Sequence, residues 1–200
     1  MELRRRISRC CWTLPTWMLI FGAVGPASAR TVFVASEIDE FRTPPGQTAL
    51  LLPTAVAVDS AGTVFVADGA NDRVVMFNPA GQFMAEIRKV GEESLSRPVG
   101  IKTDSAGRLW IADTGHGRLL VRGADGRLDR LITLPPAEGR PPADPTDVLP
   151  LAEDRGIWVV DNDGHRLLHL DREGHQLAIV GSRGETPGRF HYPFMIDCNR

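Results

Sequence analysis

The feature that most constrains the fold of this chain is an apolar pattern that occurs three times. Each copy ends in an aspartate: Val64–Asp68 (VFVAD), Leu109–Asp113 (LWIAD) and Ile157–Asp161 (IWVVD). The three aspartates are 45 and 48 residues apart. A repeat of this period is typical of architectures in which each unit buries its apolar faces against its neighbours. We therefore expect a fold built from similar units stacked side by side.

The repeat extends well beyond these five residues. A proline precedes each aspartate by 15 or 16 positions and a glycine by 5 or 6, while an arginine follows at plus 5 and a glycine at plus 13. The residues are Pro53, Pro98 and Pro145; Gly62, Gly107 and Gly156; Arg73, Arg118 and Arg166; and Gly81, Gly126 and Gly174. Because four offsets are kept in three copies, we interpret the pattern as a true repeat.

Each unit divides into four short apolar segments. In the first unit these are Thr54–Asp59, Val64–Ala67, Val74–Phe77 and Phe83–Ile87, separated by Gly, Asn, Asp and Pro turns. Such segments predict antiparallel strands and leave no room for helices. Four strands in this length are typical of one blade of a β-propeller. The predicted fold is all-β: a β-propeller of four-stranded antiparallel blades, with about three blades present and the ring incomplete.

The repeat also predicts the organisation of the chain. The expected parts are a signal peptide (1–29), an N-terminal strand and linker (30–52, with the strand at Thr31–Ser36), three blades (53–97, 98–144 and 145–192), and the first strand of a truncated fourth blade (193–200). Three blades do not close a ring, so we expect either part of a longer protein or pairing of two chains. Exposed blade faces would favour such self-association.

The N-terminus has the pattern of a secretory signal peptide. Basic residues from Arg4 to Arg9 precede an apolar stretch, Trp12 to Val24, and the small residues Ala27-Ser28-Ala29 follow. This pattern predicts export to the periplasm or the extracellular space, with cleavage after Ala29. The alternative is a membrane anchor. However, the apolar stretch is shorter than the roughly 20 residues that span a bilayer, so no stable membrane insertion is expected after cleavage.

Charge argues against a nucleic-acid partner. Removing residues 1–29 removes four of 23 basic residues and one of 25 acidic ones, which leaves 19 against 24. Binding to nucleic acid requires a basic surface that displaces counterions, and the remaining chain is acidic. Cys198 is the sole cysteine beyond the leader, so the sequence predicts neither a disulfide framework nor a zinc cluster.

Two copies of the unit, PTAVAVDSAGTVFVADGANDRV and PVGIKTDSAGRLWIADTGHGRL, resemble the NHL repeat. There is no Trp-Asp dipeptide as in WD40 repeats and no Gly-Gly doublet as in kelch repeats. The resemblance covers about Thr48 to the C-terminus and implies a six-bladed propeller, of which this chain holds a part. The third copy departs from the pattern, with Asp147 in place of a small residue and Leu151 in place of a strand-ending aspartate.

The repeated polar residues are expected to be structural. Asp68, Asp113 and Asp161 each open a turn, where a carboxylate accepts backbone N–H bonds. Arg73, Arg118 and Arg166 follow five residues later and are expected to pair with these aspartates. A metal-binding or catalytic use of the three aspartates is the alternative.

Three other residues are candidates for facing a ligand. His116 and His165 lie in equivalent turns of successive units, and Asp147 lies near the start of an inner strand, where side chains approach the central channel. For the histidines the alternative is an exposed turn residue, and for Asp147 a solvated charge. No Ser-His-Asp or Cys-His arrangement is legible, so we assign no catalytic residue.

Two functions remain open from the sequence. The first is an exported scaffold, without a cofactor, that holds a protein, peptide or glycan ligand on one propeller face. The second follows from the resemblance, which implies kinship with six-bladed lyases and lactonases that hold a divalent cation in the central channel. At the inner-strand positions this chain offers Ala55, Gly100, Asp147 and Met195, so Asp147 is the one candidate ligand for such a cation.

Overall fold

Short segments rich in Val, Ile, Leu and Phe form the strands of this protein, and Gly, Asn and Asp turns separate them. The computed structural model describes residues 42–136, 142–152 and 155–198, which belong to the unit Asp39–Arg200. The predicted signal peptide and the predicted strand Thr31–Ser36 lie outside the described residues. The strands are β1 Ala55–Val58, β2 Val64–Asp68, β3 Arg73–Phe77, β4 Phe83–Ile87, β5 Lys89–Val90, β6 Glu93–Ser94, β7 Pro98–Thr103, β8 Leu109–Asp113, β9 Arg118–Arg122, β10 Leu128–Thr133, β11 Pro145–Pro150, β12 Ile157–Asp161, β13 Arg166–Leu170 and β14 Gln176–Val180.

Twelve of these strands form three antiparallel sheets of four. The order in each sheet follows the chain: β1 to β4 in blade 1, β7 to β10 in blade 2, and β11 to β14 in blade 3. The predicted all-β fold of four-stranded antiparallel blades is therefore confirmed, and the three blades leave the ring open. The pairing also shows that the turn aspartate and the arginine after it are cross-strand neighbours, as in Asp68 opposite Arg73.

Two local features differ from the prediction. Short 3₁₀ turns, Gly69–Asn71 and Thr114–His116, follow the second strands of blades 1 and 2, so the chain is not wholly without helix. A small hairpin of β5 and β6 joins blade 1 to blade 2. In the described part of the chain, no helix is long and apolar enough to cross a membrane.

The repeated glycines serve the turns between strands. Gly62, Gly107 and Gly156 lie between the first and second strands of the three blades, with φ of 84°, 74° and 86°. Residues with a Cβ rarely adopt such angles, whereas glycine adopts them readily. The glycine of each copy is therefore required by the backbone of the turn.

Each contact between blades contains a hydrophobic cluster. Ala67 and Val74 of blade 1 pack with Ile111 and Leu120 of blade 2. On the opposite face of blade 2, residues such as Trp110 and Leu119 pack with Val159 and Leu168 of blade 3. Because successive residues of a strand point to opposite faces, blade 2 is covered on both sides. Accordingly, every residue of β8 is buried.

The first strands of the blades lie next to one another, β1 beside β7 and β7 beside β11. Hydrogen bonds between blades hold this inner layer, as when Thr54 Oγ1 donates to the Val99 carbonyl at 2.7 Å. Thr146 Oγ1 donates to the Phe194 carbonyl at 3.0 Å in the equivalent way. Phe194 thus takes the place after blade 3 that Val99 takes after blade 1.

The segment 193–198 nevertheless forms no strand, which corrects the prediction of a first strand at 193–200. A strand is stabilised by a ladder of backbone bonds to a neighbouring strand. Among the described residues nothing follows this segment to pair with it. Its position is held instead by side chains of blade 3, such as Asn162, whose Nδ2 donates to the Pro193 carbonyl at 2.9 Å.

Candidate functional site

The repeated aspartates and arginines form three buried ion pairs, which we call the strand-end pairs: Asp68–Arg73, Asp113–Arg118 and Asp161–Arg166. In each, the arginine Nε donates to the aspartate Oδ2, at 2.8, 2.8 and 2.7 Å. Burial lowers the pKa of Arg73, but its hydrogen bonds to Glu86 and Asp68 outweigh that effect and raise the pKa above the ordinary arginine value. The guanidinium therefore stays charged in the interior.

The second carboxylate oxygen of each strand-end pair fixes the chain where it enters the blade. Asp68, Asp113 and Asp161 accept, through Oδ1, the backbone N–H of Leu51, Ser96 and Asp144, each 17 residues earlier. None of the six residues of these pairs lines a cavity described below. Their arrangement is that of structural braces between a strand end and the preceding linker.

The two candidate histidines occupy different surroundings. His116 Nδ1 lies 2.8 Å from Asp113 Oδ2, with 44% of the side chain exposed, so its ring is held by a strand-end pair. His165 is only 1% exposed. The backbone N–H of Tyr192 donates to its Nδ1 at 3.0 Å, and the Tyr192 ring packs at 4.4 Å. The expectation that His165 faces a ligand does not hold in this structure, because the segment after blade 3 covers it.

Asp147 lies in β11 at the inner layer and is 6% exposed. Its Oδ1 accepts the N–H of Val148 at 2.9 Å, and its Oδ2 accepts the N–H of Ile196 at 3.0 Å. Burial raises the pKa of Asp147, and the Ile196 N–H, the charge of Lys102 and the Val148 N–H oppose this rise. Asp147 thus joins blade 3 to the segment that follows it.

The described residues of the inner layer do not supply the ligands of a divalent cation. Calcium and magnesium ions bind six or more oxygen ligands. Both oxygens of Asp147 accept backbone N–H bonds, and the equivalent positions carry Ala55, Gly100 and Met195. Within residues 42–136, 142–152 and 155–198, no three His, Cys, Asp or Glu side chains are grouped so that they could hold a metal.

Two cavities lie along the inner layer, one at each end of its strands. The smaller one, of about 250 Å³, lies among the first residues of β1, β7 and β11 and has Lys102 and Asp147 as the charged residues of its wall. The larger one, of about 780 Å³, lies at the other end of these strands, where the loops after β1, β7 and β11 meet. Lys102 lines both. An open cavity bounded by three different loops is the most favourable place in the described structure for a ligand.

A polar cluster in the wall of the larger cavity was not foreseen from the sequence. Asp104 Oδ2 accepts hydrogen bonds from Arg108 Nε at 2.7 Å and from Trp110 Nε1 at 2.8 Å. Burial raises the pKa of Asp104, but its bonds from Trp110 and Arg108 outweigh this and lower it below the ordinary value. The available signal was Arg108 itself, which occupies the position of Thr63 in the first copy.

The comparisons with known proteins agree with this fold. Residues 95–121, which span β7, β8 and most of β9, match the NHL repeat. A streptogramin B lyase structure is similar with a TM-score of 0.55 and 16% identity, over 71% of this chain and 43% of that one. The structure of a catalytically inactive virginiamycin B lyase from Staphylococcus aureus with quinupristin is similar with a TM-score of 0.52 and 19% identity, over 68% of this chain and 42% of that one.

A third similar structure is Kuenenia stuttgartiensis hydrazine synthase, with a TM-score of 0.53 and 11% identity, over 74% of this chain and 40% of that one. No curated protein matches the chain. The chain spans less than half the length of these three structures. At identities this low, the likeness concerns the β-propeller fold.

Proposed function

We propose that the chain forms part of an exported, six-bladed propeller of the NHL type that acts as a ligand-binding scaffold, with a protein, peptide or glycan bound at the larger cavity. The observation that carries this proposal is the cavity of about 780 Å³ at the meeting point of three loops. Its size falls in the range of roughly 300–1,000 Å³ that ligand sites occupy. Loops on a rigid scaffold can differ without cost to the core.

The loops around the larger cavity differ where the rest of the repeat is constant. Asp59 and Asp104 each close a turn by accepting two backbone N–H bonds, from Ala61 and Thr63 and from Ala106 and Arg108. In blade 3 the equivalent residue is Leu151, and the loop is longer, with the sequence Ala152-Glu153-Asp154-Arg155 before Gly156. This variation at one rim, with unvarying strand-end pairs at the other, supports a binding role for the loop rim.

A lyase is the second candidate, because two of the similar structures are lyases. In this proposal a complete propeller would hold the reacting groups in its central channel. The inner strands described here supply Asp147 and Lys102, and both oxygens of Asp147 are already hydrogen-bonded. The scaffold function is therefore better supported by these residues.

A pair of variants tests the scaffold function on the intact chain. Ser105 is an exposed residue in the wall of the larger cavity, so Ser105→Trp should fill it. Ala70 is exposed at the opposite end of blade 1, so Ala70→Trp is the control. A panel of immobilised peptides and glycans is expected to retain the parent chain and Ala70→Trp, but not Ser105→Trp. If the panel retained Ser105→Trp but not Ala70→Trp, the binding site would lie at the end of blade 1 opposite the larger cavity, and the proposal would be wrong.

The same panel separates the two candidate functions. Binding by the scaffold is expected to be unchanged by a chelator such as EDTA, because the proposed contacts use no metal. A lyase with a metal in its channel would lose turnover of its substrate on chelation and recover it when the metal is restored. Cleavage of a bound panel member, detected as a change in its mass, would favour the lyase.

A further inference from the structure

We propose that Arg108 anchors an oxyanion group of the ligand, a carboxylate or a phosphate, in the larger cavity; this deepens the proposed scaffold function and rests on it. The proposal depends on three observations. The guanidinium is held in one orientation, its outer nitrogens donate no hydrogen bond to a described residue, and the described residues of the surrounding wall include more basic than acidic side chains.

The orientation of Arg108 is set by two neighbours. Its Nε donates to Asp104 Oδ2 at 2.7 Å, and its guanidinium carbon lies 5.7 Å from the centre of the Trp110 ring. Trp110 is itself 2% exposed and donates to the same Asp104 oxygen. Because all three side chains are mutually fixed, Arg108 loses little further freedom when it binds a ligand.

The outer edge of Arg108 is available to an anion. Neither Nη1 nor Nη2 donates a hydrogen bond to any residue that the structure describes. Asp129 forms an ion pair with this edge, its Oδ2 lying 3.7 Å from Nη1, which is too far for a hydrogen bond. The side chain is 19% exposed and lines the cavity. A guanidinium edge of this kind matches the two oxygens of a carboxylate or phosphate.

The charges around the larger cavity favour an anion there. Lys102, Arg155 and Arg172 line the same wall as Arg108. Among the described residues of that wall, four side chains are basic and three, Asp59, Asp104 and Asp197, are acidic. Asp104 uses both carboxylate oxygens in hydrogen bonds within its own blade, and Asp59 uses one. The described side chains of the wall therefore have a small excess of positive charge, which attracts an anion.

The test is a titration of the intact chain with inorganic phosphate or with citrate, at ionic strength held constant with NaCl. The indole N–H signal of Trp110 in ¹⁵N-NMR spectra reports occupancy, because Trp110 lies beneath Arg108. We expect saturable shifts with at least one of the two anions. Response to phosphate alone indicates a phosphorylated ligand, and response to citrate alone a carboxylated one.

Variants decide whether Arg108 is the anchor. Arg108→Gln should weaken binding by about ten- to a hundredfold, as expected for loss of hydrogen bonds to a charged group. Arg108→Lys, which keeps the charge beside Asp104, should weaken binding less. Arg127→Gln is the control, because Arg127 is 89% exposed and does not line the cavity, and it should change affinity by less than about twofold.

Three outcomes overturn the proposal. Unchanged affinity in Arg108→Gln would move the anion elsewhere. Failure of both anions to bind, while a neutral glycan or peptide binds the parent chain, would refute the oxyanion site and leave the scaffold function intact. If neither the anions nor any panel member binds the parent chain, both the oxyanion site and the scaffold function are refuted. Should Arg108→Gln not fold, Arg108→Lys together with Arg155→Gln provides the same comparison within the cavity wall.

Discussion

At the scale of single residues, the strand-end pairs show how the repeat uses buried charge. Each aspartate binds an arginine across the strand pair and a backbone N–H of the preceding linker. Arg73 has a second carboxylate partner in Glu86 at 2.6 Å, and Arg118 has one in Glu93 at 2.6 Å. Arg166 has instead the Pro135 carbonyl at 2.6 Å. Among the described residues, the third pair therefore depends most on its aspartate.

Removing one aspartate at a time should reveal this difference. Asp161→Ala is expected to lower the free energy of unfolding by about 3–5 kcal/mol, because it leaves a buried guanidinium without a carboxylate partner among the described residues. Asp68→Ala and Asp113→Ala should cost less, since Glu86 and Glu93 remain. Urea unfolding followed by tryptophan fluorescence measures the series. Arg127→Ala, at a loose surface pair 3.9 Å from Asp125, should change stability by less than about 1 kcal/mol; equal losses at all three aspartates would contradict the account.

Asp147 should make stability depend on pH in an unusual direction. Its pKa is raised in the folded chain above the ordinary 3.8, so the folded state holds its proton more tightly than the unfolded state does. The stability that this contributes is present below pH 3.8 and is lost as the pH rises through the raised pKa. Asp147→Asn does not titrate, so the unfolding free energy of the variant minus that of the parent should increase over this range and then level off.

The measurement for Asp147 is urea unfolding of both chains at a series of pH values. The difference between the chains removes the titration of all other groups. The informative quantity is the slope of this free-energy difference against pH. Its absolute value is not informative, because the amide of Asp147→Asn also changes the bonds to Ile196 and Val148. A difference that falls as the pH rises would mean that the two backbone N–H bonds and Lys102 outweigh burial at Asp147.

At the scale of strands, the size of the residues in the first strand of a blade is limited by how closely the next blade approaches. An ideal Cβ on Gly100 would lie 2.5 Å from the Thr146 carbonyl oxygen and 2.7 Å from the Asp147 Cα, both in β11. β7 and β11 can approach this closely because position 100 carries no side chain. Gly100 therefore belongs to the contact between blades 2 and 3, whereas Gly107 belongs to a turn.

Gly100→Ala should push these strands apart. We expect a loss of about 1–3 kcal/mol in unfolding free energy, as for insertion of a methyl group into a packed interior. Ala55 holds the same place in blade 1 and already carries a Cβ. The reverse change, Ala55→Gly, should cost only about 0.5–1 kcal/mol through backbone entropy. A tolerated alanine at position 100, with full stability, would show that the inner strands are not in tight contact.

At the scale of the whole molecule, the hydrophobic interior lies between blades and not within a single centre. Blade 2 is covered on both faces, whereas the exposed Val56 and Val58 lie on the face of blade 1 that is directed away from blade 2. This is the expected arrangement for stacked units, because each sheet has two apolar faces. Closing the ring is the usual way to cover the last faces.

Export belongs to this scale as well and is open to a direct test. The chain expressed in a bacterial host is expected to appear outside the cytoplasm with Arg30 as its first residue, because Ala27-Ser28-Ala29 has the pattern of a cleavage site. N-terminal sequencing of the recovered protein measures this. Ala29→Leu should block processing and leave a longer chain. Recovery of the unprocessed parent chain from the cytoplasm would remove the export proposal.

What the sequence by itself determined is the part that depends on local backbone requirements. The glycines at positions 62, 107 and 156 reveal the turns because few other residues adopt their angles. The alternating apolar segments reveal the strands, and the period reveals the blade. The pairing of each aspartate with the arginine five residues later is also local, because the aspartate ends one strand, a short turn follows, and the arginine begins the next strand of the same sheet.

The tertiary structure alone decided the surroundings of the candidate functional residues. His165 was predicted as a candidate for facing a ligand, with an exposed turn residue as the alternative, yet residues 191 and 192 cover it. Asp147 was expected at a channel, and both of its oxygens are used by backbone N–H groups. Arg108 carried no motif, yet Asp104 and Trp110 orient it towards a cavity formed by three blades. These outcomes depend on which blade or linker packs across each residue, and contacts between segments tens of residues apart leave no local pattern in the sequence.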